Sequence, residues 1–391
     1  MNFKLITSVF LALWLSSCSV PKSDLEPDES SVRNTQNGQV IGGFNDKTHQ
    51  WLGIQYGSIP NSEFRWKKAK APDNWEGIKE SLNFGANCPQ RGSLINTAKR
   101  REWGDMVGSE DCLYLNVWAP QMNPEELSKS SPLPVMVWIH GGSNVSGNAD
   151  FYDPSELAYQ HNLIVVTINY RLGPFGWFSH PSIKELSVDP RNASGNYGNI
   201  DTIQSLEWVQ SNIANFGGDP TNITIFGESA GGYNVAALLS SPIAEGLFHK
   251  AIIQSGGIKP GDITHAESYL KDNLPWKNYT SKELVNQLLI ERDFAQTREE
   301  ALSLQIGMND EAINDLLRSS STEEIYVSFQ EARVNTNEML RPFPDGIVLD
   351  QNGILSSLKN GFSFLFSATD ISSIVFKKTT SALSECIALK P

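Results

Sequence analysis

Histidine and cysteine are scarce in this chain, which has six and four of them among 391 residues. No histidine cluster accompanies the cysteines, so the sequence predicts neither a metal site nor a bound cofactor. Basic residues are also in the minority: 31 Lys and Arg stand against 44 Asp and Glu, a net charge of −13. This charge argues against nucleic acid or an anionic membrane surface as a partner. The hydrophobic content of 40% suffices for one large α/β domain or two smaller ones.

A long apolar run is missing as well. Leu5–Leu15 is too short to span a bilayer and predicts a signal peptide over residues 1–17. The tetrapeptide Leu15–Cys18 resembles the lipobox of bacterial lipoproteins, which predicts an exported protein attached to a membrane only through a lipid on Cys18. An ordinary signal peptide that contains a cysteine is the alternative. Residues 18–37, rich in Ser, Pro, Asp and Glu, are expected to form a flexible tether.

The most informative stretch is Phe216–Gly232, which contains a G-x-S-x-G pentapeptide centred on Ser229. Asn222–Phe226 is a short apolar run typical of a buried strand, and Ala230–Leu239 is small and apolar, typical of a helix. A serine in a tight strand-to-helix turn is held above the carboxyl end of the sheet as a nucleophile, and its glycine neighbours let the strand and helix pass closely. A glycine-rich helix start without chemistry is the alternative.

The surrounding pattern predicts a mostly parallel central sheet with flanking helices, because short apolar runs alternate with helical segments such as Asp201–Phe216. The predicted strands are Leu113–Trp118, Val135–Ile139, Ile164–Asn169, Ile223–Phe226 and Ala251–Gln254. Before them, Gln39–Trp75 predicts a small antiparallel sheet. Tyr279–Arg341 is expected to be helical, either capping the site or simply packing on the domain.

Two glycines, Gly141 and Gly142, directly follow the predicted strand Val135–Ile139. A glycine pair there leaves backbone N–H groups pointing into space, and together with the N–H of Ala230 they predict an oxyanion hole. The alternative is a turn needed only for topology.

Cys88 and Cys112 lie close in the sequence, and an exported chain folds in an oxidising compartment, so we expect them to pair. Trp103 lies inside the loop that this bond would close. It is either part of the core or a wall of a substrate pocket.

Together these residues resemble the type-B carboxylesterases, the cholinesterase-like branch of the α/β-hydrolases. FGGDPTNITIFGESAG (Phe216–Gly231) resembles the family's serine signature, and EDCLYLNVWAP (Glu110–Pro120) resembles its second signature. Further similar stretches follow in the same order, from WLGIQYG at residues 51–57 to the Asp-Gly pair at 345–346. The resemblance covers roughly residues 38–361 and implies an α/β-hydrolase domain there, with a divergent tail over 362–391.

The resemblance implies hydrolysis of a small-molecule carboxylic ester through an acyl-enzyme. Ser229 matches the nucleophile, while Gly142, Ser143 and Ala230 match the positions whose N–H groups form the oxyanion hole. The family usually has a third glycine where this chain has Ser143. Cys88 and Cys112 match a family disulfide, Trp103 matches a substrate-site wall, and Glu228 is expected to be buried and hydrogen-bonded.

The expected base is missing, since a serine nucleophile needs a histidine that follows it in this fold. After Ser229 come only His249 and His265, both expected to be surface residues. The family's acid follows the position of Gly361, which makes Asp370 the candidate acid, and its histidine comes later still; the domain is therefore expected to be incomplete at its C-terminal end.

Two functions stay open: an ester hydrolase, inactive or poorly active in this chain for lack of a base, or a non-catalytic binding or adhesion protein on the same fold. The sequence carries no signal for an oligomeric state.

Overall fold

The computed structural model describes residues 25–45, 47–270, 280–332 and 339–352, together with the backbone of three strands beyond them. Its strands are β1 Arg33–Asn34, β2 Gln39–Ile41, β3 Gly43–Asn45, β4 Thr48–Gln55, β5 Ile78–Glu80, β6 Gln90–Arg91, β7 Met106–Val107, β8 Tyr114–Pro120, β9 Leu133–Ile139, β10 Ile164–Ile168, β11 Gly218–Glu228, β12 Lys250–Gln254, β13 Ser363–Ser367, β14 Ser373–Phe376 and β15 Ile387–Leu389. Its α-helices are α1 Pro124–Lys129, α2 Ser155–His161, α3 Gly173–Gly176, α4 Pro181–Glu185, α5 Tyr197–Asn212, α6 Ala230–Leu239, α7 Ile263–Ala266, α8 Ser281–Glu291, α9 Arg298–Gly307, α10 Asp310–Ser319 and α11 Thr322–Ala332.

Two middle strands of the large sheet, β9 and β10, are mainly apolar. All five residues of β10 are buried, and β9 is buried at its carboxyl end. Continuous burial of β-branched residues needs cover on both faces, which is typical of parallel strands between layers of helices. On α5, thirteen of the residues are buried, and α6 is buried almost throughout.

The ten-stranded sheet has the order β15-β14-β13-β12-β11-β9-β10-β8-β4-β3. The strands from β13 to β10 are parallel, and those on both sides of them are antiparallel. The sheet is therefore mixed rather than mostly parallel, because tight connections such as that between β3 and β4 allow only antiparallel pairing. Strand β13 includes Phe364–Phe366, whereas Asp370 lies outside the described residues.

The N-terminal segment differs from expectation in two ways. A small sheet is present, but it pairs β1 with β2 antiparallel and β2 with β5 parallel, while β3 and β4 extend the large sheet. The apolar residues of β4 are buried on both faces, so this strand needs the larger sheet as cover. The predicted flexible tether also includes a residue that is packed on the domain. Ser31 is buried, and its carbonyl accepts the indole N–H of Trp51 at 2.8 Å.

The helical region forms largely as the periodicity predicts. The segment Tyr279–Arg341, expected to be helical, contains the consecutive helices α8, α9, α10 and α11. Each of α8, α9 and α10 starts at a side chain that caps its first turn: Thr280, Thr297 and Asn309 respectively. Helix α10 packs against α4, and helix α11 packs against α3 and α8.

Neither a membrane-spanning helix nor a metal-binding cluster occurs in the described ranges. No helix there is long and apolar enough to cross a bilayer. No group of three or more His, Cys, Asp or Glu side chains there is arranged to hold a metal ion. Cys18 lies outside the described residues, so its lipidation stays a prediction.

Candidate active site

Ser229 occupies the sharp turn between β11 and α6. Its backbone has φ 54° and ψ −119°, in the left-handed range that non-glycine residues rarely adopt. Such a conformation costs on the order of 1–3 kcal/mol and persists only where the surroundings enforce it. The side chain is half-buried, so the hydroxyl is held at the carboxyl end of the sheet without being enclosed.

The two glycines of the pentapeptide are required by the closeness of strand and helix. A Cβ atom on Gly231 would lie 2.0 Å from the carbonyl oxygen of Ile139, and one on Gly227 would lie 2.7 Å from the same oxygen. The helix therefore passes directly over the end of β9. Any side chain at either position would push the turn away from the sheet.

The turn after β9 lies against Ser229. A Cβ atom on Gly141 would lie 3.3 Å from the Cβ of Ser229 and 2.8 Å from the carbonyl oxygen of Glu228. The next three residues, Gly142, Ser143 and Asn144, have φ values of 102°, 58° and 60°. Such a succession of left-handed residues curls the backbone so that its N–H groups converge, as in anion-binding nests.

The N–H groups of Gly142, Ser143 and Ala230 make no hydrogen bond with any described residue. Ala230 is the first residue of α6, so its N–H precedes the first intrahelical bond. The structure thus brings the sequence-predicted nucleophile and the three expected oxyanion donors to the same end of the sheet, at the ends of two adjacent strands. This arrangement can hold a developing negative charge beside a hydroxyl.

A buried amide network supports the turn after β9, and it was not predicted from the sequence. The amide Nδ2 of Asn234 on α6 donates to Oδ1 of Asn144 at 2.9 Å, and Nδ2 of Asn144 donates to the carbonyl of Leu340 at 2.7 Å. Both asparagines are fully buried. The sequence contained one sign of this network, because Asn234 is a polar residue within an otherwise apolar helix.

The Cys88–Cys112 disulfide is present, with the Cα atoms 5.0 Å apart. Its loop is tied to the candidate oxyanion turn through Gln90, which is fully buried. The side chain of Gln90 accepts from the N–H of Gly147 at 2.8 Å and donates to the carbonyl of the same residue at 2.9 Å. The disulfide loop therefore braces the segment that follows Ser143.

Two side chains near the site are more exposed than expected. Trp103 is 46% exposed, and its indole N–H donates to the carbonyl of Ala98 within the disulfide loop. It is thus not part of the core, and its role as a pocket wall stays a prediction. The expectation that Glu228 is buried is wrong, because this residue is exposed.

None of the six histidines, all in the described ranges, hydrogen-bonds to Ser229. His249 lies at the start of β12, where its Nδ1 accepts the N–H of Ile223, at the end of the sheet opposite Ser229. His265 is half-buried on α7 rather than a surface residue. The Oγ of Ser229 has no hydrogen-bond partner among the described residues, so the base stays unassigned.

His140 is the histidine next to the turn, but it has a structural role. Its ring is fully buried, stacks on Tyr170 with centroids 4.3 Å apart, and its Nδ1 lies 2.8 Å from the carbonyl of Gly141. Burial lowers the pKa of His140 to about 4, because a charged imidazole would lose its hydration there. The neutral ring fixes the start of the turn.

A carboxylesterase-family model matches residues 29–352, which is most of the chain and includes both strands that carry the site. The chain belongs to the carboxylesterase family. The start of this match at residue 29 agrees with the packing of Glu29–Ser31 on the domain.

Individual proteins that are similar to this chain are also named as esterases. The para-nitrobenzyl esterase of Bacillus subtilis (strain 168) is 45% identical over 230 residues, which is 58% of this chain and 43% of that protein. Liver carboxylesterase 1F of Rattus norvegicus is 34% identical over 343 residues, which is 83% of this chain and 57% of that protein. The chain spans about half the length of the curated relatives it matches.

The solved structures agree with the fold. A PNB esterase structure superposes with a TM-score of 0.67 at 32% identity, covering 87% of this chain and 64% of that one. A thermophilic PNB esterase superposes with a TM-score of 0.69 at 33% identity, covering 87% and 63% of the two chains. This confirms the α/β-hydrolase fold expected from the serine signature.

Proposed function

We propose that this carboxylesterase-family protein hydrolyses carboxylic esters through a covalent intermediate on Ser229. The observation that carries the proposal is the placement of a strained serine directly beside a turn with unbonded N–H groups. The left-handed conformations of Ser229 and of Ser143 and Asn144 are costly, and the fold maintains them next to each other. A purely structural turn would need neither.

In the proposed reaction, the Oγ of Ser229 attacks the ester carbonyl and the carbonyl oxygen becomes an oxyanion. The N–H groups of Gly142, Ser143 and Ala230 donate to that oxyanion. The alcohol then leaves, and water releases the acid from the acyl-enzyme. Each well-placed donor of this kind accounts for about 2.7–4 kcal/mol of transition-state stabilisation in other serine hydrolases.

Proton transfer is the step for which the described residues offer no group. Without a base, the hydroxyl of Ser229 is a weak nucleophile, while the oxyanion donors still act. We therefore expect the 391-residue chain to react with strongly activated acylating reagents and to turn over ordinary esters slowly. Asp370 stays our candidate for the acid.

The test is active-site labelling of the full 391-residue chain with a fluorophosphonate, located by peptide mass spectrometry, beside hydrolysis of 4-nitrophenyl butyrate. We expect one label, on Ser229, and none on Ser229→Ala. As a matched control, Ser211→Ala on the exposed face of α5 should label as the wild type does. Labelling elsewhere, or equal ester hydrolysis by wild type and Ser229→Ala, would contradict the proposal.

The competing proposal, a non-catalytic binding or adhesion protein on this fold, has no specific observation in its favour. The relatives described above are named as esterases, and the elbow and its glycines are intact. Failure of Ser229 to react with the fluorophosphonate would revive it.

We further propose that the protein is exported and held at a membrane by lipid on Cys18. The support is the sequence alone: a short apolar run followed by Leu-Ser-Ser-Cys. Mass spectrometry of the mature N-terminus tests it. A lipidated Cys18 is expected, and an unmodified N-terminus at another residue would overturn it.

A further inference from the structure

The segment Met339–Phe343 adjoins the candidate oxyanion turn. The N–H of Leu340 donates to the carbonyl of Ser143 at 3.2 Å, and its carbonyl accepts from Nδ2 of Asn144 at 2.7 Å. This segment is therefore fixed to the same turn that supplies two of the proposed oxyanion donors. Any side chain on it has a set position relative to the site.

The next residue is Arg341, whose guanidinium carbon lies 5.7 Å from the ring centroid of Tyr233. The N–H of Tyr233 donates to the carbonyl of Ser229 at 3.1 Å, so its ring is one helical turn from the proposed nucleophile. Arg341 is thus connected to the proposed site in two ways: through Leu340 and Ser143, and over Tyr233.

Arg341 is half-buried, and one of its donors is unused in the described part of the chain. Its Nε is buried and lacks a hydrogen-bond partner, and within the described ranges the side chain makes no ion pair. A buried N–H donor left without a hydrogen-bond partner is costly, and proteins rarely keep one without a use. Stacking on Tyr233 holds the group in place but satisfies none of its donors.

Arg341 lines a cavity of about 180 Å³ that offers an anion both charge and apolar walls. Lys259 supplies a second cation, and Trp177 and Phe343 supply apolar surface. The carboxylate in the lining is that of Asp262, and its Oδ1 is engaged by the N–H of His265 at the start of α7. The two cations exceed this one carboxylate, so the cavity favours a negatively charged group.

We propose that Arg341 is a specificity-determining residue that selects esters carrying a second, free carboxylate. This rests on the proposed ester hydrolysis at Ser229. A carboxylate several bonds from the ester carbonyl would take the unused N–H donors of Arg341, in the bidentate manner that guanidinium favours. The methylene chain between the two groups would lie against the apolar walls.

The binding test uses glutarate as the probe, with titration calorimetry on the full chain. We expect glutarate to bind wild type and Ser229→Ala equally, and to bind Arg341→Gln about 10- to 100-fold more weakly, as expected for a charge-assisted hydrogen-bonding pair. Arg341→Lys should recover part of the loss. Arg100→Gln, which removes an exposed arginine of the disulfide loop, is the matched control and should bind as wild type does.

The reactivity test compares two activated esters of equal length, 4-nitrophenyl hydrogen glutarate and 4-nitrophenyl pentanoate, by the rate of 4-nitrophenolate release on acylation of Ser229. Arg341→Gln should lose preference for the glutarate ester while keeping its rate with the pentanoate ester. No glutarate binding by wild type, or unchanged binding by Arg341→Gln, would overturn the inference. If glutarate binding depends on Arg341 but Ser229 is not acylated, the proposed hydrolysis is overturned and the anion site stands.

Discussion

Asn234 Nδ2 lies 2.9 Å from Asn144 Oδ1, and this buried hydrogen bond joins the helix after Ser229 to the turn after β9. Ser229 and Ala230 follow β11, whereas the donors Gly142 and Ser143 follow β9, so the position of the nucleophile relative to these two donors depends on such cross-links. Asn234 is not in contact with a reacting atom. It is a positioning residue whose effect passes through Asn144.

Replacing Asn234 with alanine should lower the free energy of unfolding by about 1–3 kcal/mol, because Oδ1 of Asn144 is left buried without its donor. It should also slow fluorophosphonate labelling of Ser229, since the turn loses its tie to α6. Urea denaturation and label kinetics measure the two effects. Asn45→Ala, at an exposed position on β3, should change neither. Full stability and normal labelling of Asn234→Ala would show that the bond is dispensable.

Gly231→Ala should be among the most damaging small substitutions in the domain, because the added Cβ would lie 2.0 Å from the carbonyl oxygen of Ile139. We expect a loss of more than about 3 kcal/mol of unfolding free energy and no labelling of Ser229, since α6 must move off the sheet. Gly307→Ala is the matched control: a Cβ there meets nothing within 4 Å, at the end of α9. Its stability should be unchanged or raised by up to about 1 kcal/mol. Equal stabilities for the two variants would contradict this close contact.

Stability should fall as the pH drops from 7 to 5, because two histidines are buried in neutral form. Burial lowers the pKa of both His140 and His180 to about 4. In the unfolded chain each has a pKa near 6.5, so below that pH the unfolded state binds more protons and is favoured. Each histidine should therefore cost about 2 kcal/mol of unfolding free energy between pH 7 and 5.

The check is urea denaturation at both pH values for wild type and His180→Asn. Asparagine can still accept the N–H of Ser182 at the start of α4, and it does not titrate. The variant should lose less stability on acidification than wild type. His161→Asn, at an exposed position on α2, should follow the wild type. An equal loss of unfolding free energy between pH 7 and 5 in all three proteins would show that His180 is not buried as a neutral group.

The sequence predicted the elbow because its constraints are local. Five consecutive residues, a strand before Ser229 and a helix after it determine a turn that the chain can form in few other ways. The glycine pair after β9 was readable for the same reason. The exposure of Glu228 and the packing of Ser31 could not be predicted from the sequence, since both depend on which distant segments cover them.

The support of the site was equally invisible in the sequence. Asn144 and Asn234 carry no spacing signal, and Arg341 lies at the end of a stretch predicted only as helical. Their importance comes from contacts between residues far apart in the chain, such as Asn144 with Leu340. The antiparallel edges of the sheet likewise follow from connections rather than from apolar patterning.

The neighbouring positions of β9 and β11 also bear on how the molecule folds. These strands pair side by side, although β10 and α2 to α5 lie between them in the chain. Closing so long a loop is entropically expensive, and non-local pairing of this kind slows folding. The hydroxyl of Ser229 and the N–H groups of Gly142 and Ser143 therefore come together only when β11 docks beside β9. During refolding, the reactivity of Ser229 would report on this late topological event rather than on the local helix that follows it.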